Sequence, residues 1–112
     1  MAYDEELAAR IRGLVANEAG VAEQKMFGGL AFLLNGNMAV AASGQGGILV
    51  RVDPAESAQL VETTGAEELV MRGRAMTGWL RLEAADVAGD ELAGWVRRGV
   101  SYARSLPPKP KR

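Results

Sequence analysis

Neither cysteine nor histidine occurs anywhere in the 112 residues. The first absence excludes disulfides, zinc ribbons, iron–sulfur ligation and thiol nucleophiles. The second removes the side chain that most often serves as general base and metal ligand near neutral pH. Any metal would need an all-oxygen site, yet no Asp-x-Asp-x-Asp-Gly type loop is present, so the sequence predicts no metal and no cofactor. No apolar run reaches the roughly eighteen residues needed to cross a membrane. Asp4, Glu5 and Glu6 stand where a secretory leader would be positive, and the expected location is the cytoplasm.

What is present belongs to a globular protein: 48% hydrophobic and 24% charged residues, with a formal net charge of −1. The length predicts one domain over residues 1–112, ordered over about 3–106 with a loose, basic, proline-rich end at 107–112. Charge is mildly asymmetric. The last sixteen residues carry Arg97, Arg98, Arg104, Lys109, Lys111 and Arg112 and no acidic residue. These six are candidate nucleic-acid contacts, although a chain of slightly negative net charge offers far less basic excess than such binding usually uses.

Leu7, Ile11, Leu14 and Val15 gather on one stripe of a 3.6-residue helix, predicting a first helix over about 4–17, with acidic residues suited to the positive end of its dipole. Short apolar runs with glycine punctuation follow, predicting strands at 22–27, 30–35, 37–42 and 48–52. Asn35-Gly36 accepts the positive φ values of a type I′ hairpin turn. Ser43-Gly44-Gln45-Gly46-Gly47 is expected to be an exposed, mobile connection. Asp53-Pro54-Ala55-Glu56 predicts a helix over 54–63, Asp53 capping it and Glu56 reaching back in a capping box. Residues 67–72 are ambiguous between strand and helical turn, and residues 79–82 alternate as a strand. A last helix starts near Asp86 or Asp90 and runs to about Ser105, where prolines end it. The expected fold class is α+β: an antiparallel sheet of about five strands with flanking helices, in the order α-β-β-β-β-α-β-α.

Familiar motifs fail. Counted from Gly44, the dinucleotide-binding pattern has Leu49 at its sixth place and a strand behind it, and no phosphate-loop lysine motif exists. The carboxylate neighbours Glu67 with Glu68 and Asp90 with Glu91 do not face one another and are expected to be solvated. No catalytic residue is therefore assigned. Lys25, Arg51, Arg72 and Arg74 are candidates for an anion surface because guanidinium forks accept carboxylate or phosphate. The alternative is that they scatter over the surface. Met76, between Gly73 and Gly78, is a candidate partner contact, and Phe27 and Trp79 are expected in the core.

Five ordered segments carry a family resemblance. They are Lys25-Met26-Phe27-Gly28-Gly29-Leu30-Ala31-Phe32, Asn35-Gly36-Asn37-Met38, Leu49-Val50-Arg51-Val52, Gly73-Arg74-Ala75-Met76-Thr77-Gly78-Trp79, and Trp95-Val96 with Tyr102-Ala103-Arg104-Ser105-Leu106-Pro107-Pro108-Lys109. Together, over about residues 3–109, they resemble the TfoX/Sxy N-terminal domain, here in stand-alone form, without the second helical domain of the competence regulators. Ala75 stands where the family pattern often has proline. The resemblance implies a small bacterial α+β domain without established catalytic residues, acting in the two-domain regulators through other proteins in transcriptional activation.

The expected function is accordingly a non-enzymatic interaction or regulatory module with a protein partner, a second copy of the chain being one candidate. Two alternatives stay open: a nucleic-acid accessory protein using the basic C-terminal end, and a small anion-binding enzyme centred on Arg51 and Arg74.

Overall fold

The computed structural model describes residues 3–26, 28–71 and 73–107. Asp4 begins the first helix, α1 (Glu5–Leu14), its carboxylate accepting from the backbone N–H groups of Glu6 and Leu7 at 3.0 and 3.1 Å. The helix stops three residues short of the expected end. Beyond Val15 the N–H of Ala16 turns back to Gly13 and that of Glu18 to Val15, tightening the chain into three-residue turns.

Among the described residues six antiparallel strands follow in two groups: β1 (Val21–Met26), β2 (Gly29–Leu34), β3 (Asn37–Ala42) and β4 (Ile48–Arg51), then β5 (Glu67–Met71) and β6 (Arg74–Leu82). The sheet order is β1-β2-β3-β4-β6-β5. Between the groups lies α2 (Pro54–Thr63), and after β6 come a short 3-10 turn (Ala84–Val87) and α3 (Glu91–Ser105). The α+β class and element order agree with the sequence, but the sheet has one strand more than expected. The extra strand is the ambiguous segment 67–71, an edge strand fixed by its pairing with β6, which itself starts at Arg74, five residues before Trp79.

Asn35 and Gly36 take φ values of 52° and 86°, and Leu34 pairs with Asn37, as the hairpin turn requires. The Ser43–Gly47 connection is tethered, contrary to expectation. Arg81 donates to the Gly46 carbonyl at 2.8 Å and to the Ser43 hydroxyl at 3.4 Å, and Ser43 is buried. Only Gly44 and Gln45 are exposed there.

All three helices pack on one sheet face. Leu7, Ile11 and Val15 from the first helix, Leu60 from the second, and Leu92, Val96 and Val100 from the third close over Phe32, Val40, Ile48, Val50, Leu80 and Leu82. Strand alternation sends Ala31, Ala41, Leu49, Trp79 and Arg81 to the opposite face, where a small apolar cluster forms with Met38 and Leu33. Trp79 therefore belongs to this outer cluster, half-buried, and not to the main core. Phe27 lies outside the described residues. No helix among the described residues is long and apolar enough to cross a membrane.

Candidate functional site

Strand β6 is interrupted where its pairing with β5 jumps from Leu80 opposite Glu68 to Met76 opposite Leu69. Gly78 sits in that bulge at φ 88°, a conformation that L side chains rarely adopt. Its carbonyl accepts from the Val52 N–H at 2.8 Å, and its own N–H donates to the buried Ser57 hydroxyl at 3.4 Å. These bonds hold the end of β4 and the start of α2 against β6. They also set Trp79 directly opposite Arg51.

The Arg51 guanidinium lies 5.0 Å from the Trp79 ring centroid and 5.6 Å from that of Tyr102 on α3. Both aromatic faces are attractive to a cation, so the sandwich fixes a long side chain that would otherwise sample many rotamers. Arg98 is held similarly, 5.3 Å from the centroid of Trp95 one turn earlier on α3.

Beside this sandwich a cleft of about 540 Å³ runs between α2 and α3. Its α2 wall presents Asp53 and Glu56; its α3 wall presents Gly94, Arg97, Arg98, Ser101, Tyr102 and Ser105. Asp53 caps α2, accepting from the Ala55 N–H at 2.9 Å. Glu56 does not complete the expected capping box. Its carboxylate faces Arg98 across the cleft at 4.0 Å, because the opposing guanidinium offers a charged partner. Arg97 has no ion-pair partner among the described residues, and Arg51 has neither an ion pair nor a side-chain hydrogen bond there. The cleft thus combines one carboxylate wall with one guanidinium and hydroxyl wall, and Tyr102 joins the second wall to the aromatic sandwich. No group of three or more acidic side chains among the described residues is placed to hold a metal.

The candidates named from the sequence do not form one anion surface. Lys25 is on edge strand β1, in the row that runs through Leu30, Ala42, Ile48 and Leu82. Arg74 pairs with Met71 at the far tip of the β5–β6 hairpin, five residues along β6 from the Trp79 that meets Arg51, a separation of about 16 Å. Arg72 lies outside the described residues. Met76 is half-buried opposite Leu69. Of the basic C-terminal group, Arg97 and Arg98 line the cleft, whereas Arg104 is bound at 2.6 Å to Glu18. Lys109, Lys111 and Arg112 lie outside the described residues.

The TfoX N-terminal domain matches the chain over residues 14–103. The chain belongs to this family. The matched span runs from the end of α1 through Ala103 of α3, so it contains the bulge, the aromatic sandwich and every residue named on the cleft walls except Ser105. No curated protein and no solved structure gave a significant match.

In the sequence Asp53 and Glu56 read as helix-start residues only, Tyr102 stands in a family segment without a role of its own, and Ser101 carries no signal by itself. One available signal was the spacing of Arg97, Arg98, Ser101, Tyr102 and Ser105, a polar stripe along one helix. The pairing of Arg51 with Trp79 had no such signal, because it depends on β4 meeting a strand that is twenty-odd residues away.

Proposed function

We propose that this TfoX N-terminal domain is a non-catalytic regulatory module that works by docking another protein at the α2–α3 cleft. The observation that supports this reading is the Trp79–Arg51–Tyr102 sandwich, whose Tyr102 also lines the cleft. Tryptophan, tyrosine and arginine are the residues that most often anchor protein interfaces, since they combine large contact area with polar ends. An arginine already held by two rings loses little freedom when a partner binds. Next to it the cleft offers hydrogen-bond donors and acceptors on facing walls.

The same geometry weighs against the two alternatives. A phosphate backbone laid on Arg97 and Arg98 would also meet Asp53 and Glu56. An enzyme centred on Arg51 and Arg74 would need the two groups within one pocket, and the register holds them apart.

The test is a photo-crosslinking amino acid placed at Ser101 in the cleft or at exposed Ala9 on α1, in cells expressing the full chain. A discrete protein adduct is expected from position 101, lost on Tyr102→Ala and absent from position 9. Equal adducts from both positions, or none from 101, would contradict the proposal.

A further inference from the structure

The charges on the two cleft walls identify what kind of segment fits between them. On the α3 wall the polar stripe from Gly94 to Ser105 is about 16 Å long at 1.5 Å per residue, the span of about five residues of extended chain. That wall offers only hydrogen-bond donors from Arg97 and Arg98, with the hydroxyl of Ser101 on the next turn. The α2 wall offers carboxylate acceptors from Asp53 and Glu56. An extended peptide satisfies both at once: acidic side chains meet the guanidinium forks while backbone N–H groups on its other edge meet the carboxylates. A nucleic-acid strand carries no positive groups and would set its row of phosphate charges beside Asp53 and Glu56.

We propose that the cleft docks an extended, acidic segment of the partner protein, whose carboxylates displace Glu56 from Arg98 and pair with Arg97 and Arg98. This rests on the protein-docking function proposed above and adds the chemistry of the partner. Glu56 is an internal competitor: at 4.0 Å its pair with Arg98 is long, and both side chains are about half exposed, at 55% and 46%. Such a pair contributes little to stability and is readily exchanged for a better-placed carboxylate. Because the whole chain carries a formal charge of −1, an acidic peptide gains no general attraction, and binding must be local.

The experiment measures fluorescence anisotropy of a labelled decapeptide of alternating glutamate and alanine with the full-length protein at low salt. A glutamine–alanine peptide and a twelve-nucleotide single-stranded DNA serve as comparison probes. The glutamate peptide binds and the glutamine peptide does not. Arg97→Ala with Arg98→Ala weakens binding about tenfold, in keeping with the loss of two partly exposed ion pairs. Glu56→Gln tightens it about threefold by removing the competitor, a gain that damage to the fold could not produce. Arg74→Ala, at the remote hairpin tip, leaves it unchanged. Equal binding of both peptides, tighter binding of the DNA, weaker binding by Glu56→Gln, or an equal loss on Arg74→Ala would each overturn the inference. A crosslinked partner at position 101 combined with failure of the acidic peptide would reject the acidic chemistry alone; failure of both would reject the docking function as well.

Discussion

Arg12 and Glu23 show how a single pair responds to its surroundings. Arg12 donates two hydrogen bonds to the Glu23 carboxylate, at 2.6 and 2.9 Å, tying α1 to edge strand β1. These bonds, with the guanidinium charge, hold the Glu23 carboxyl below the usual carboxylate range. A carboxyl depressed in the folded state stabilises the protein above its ordinary value, and that contribution is lost as pH falls through the lower folded value. Carbonyl-detected NMR titration should therefore find Glu23 more than half ionised where free glutamate is half protonated, at about pH 4.3. Arg12→Ala should return it to the ordinary range. Gly78 is the second residue with a sharp expectation. A methyl there would lie 3.1 Å from both Pro54 Cγ and the Val52 carbonyl while holding φ at 88°. Gly78→Ala should cost about 1–3 kcal/mol in urea denaturation. A neutral result would show that the bulge is not held as described.

Helix α2 is placed by two small contacts at its start. Asp53 accepts from the Ala55 N–H, and the buried Ser57 hydroxyl accepts from Gly78 and lies 3.4 Å from a Glu68 oxygen. Asp53→Ala and Ser57→Ala should each destabilise by about 1 kcal/mol in chemical denaturation, through the lost cap and the unpaired buried N–H respectively. This part of the chain was also the most legible: the helix over 54–63 agrees at both ends because capping residues act locally. Hairpin strands β2 and β3 were legible for the same reason, through Asn35-Gly36. Strand β5 was not. Its Val70 is 62% exposed and its side chains do not alternate cleanly, so what makes it a strand is its pairing with β6. The candidate site followed the same division. Arg97 and Arg98 stand out in the sequence as part of a basic C-terminal end and Arg51 as part of a candidate anion surface, but their grouping with Asp53, Glu56 and Tyr102 arises only when α2 and α3 lie on neighbouring strands.

At the level of the whole molecule, one buried cluster draws on all three helices and four of the strands, while polar groups meet between α2 and α3. Arg10, which donates at 3.0 Å to the carbonyls of Val87 and Gly89, and Arg104, which binds Glu18, clamp the ends of α3 to the first helix and the loop after it. The α3 wall of the cleft is thus fixed at both ends before a partner arrives, which lowers the ordering cost of binding. Hydrogen exchange of the full chain, free and bound to the partner captured from position 101, tests the central claim most directly. The docking account predicts slowed exchange at residues 53–56 and 97–105, with the β5 edge unchanged. A footprint confined to the β5 edge or the outer sheet face, leaving α2 and α3 as in the free protein, would contradict it.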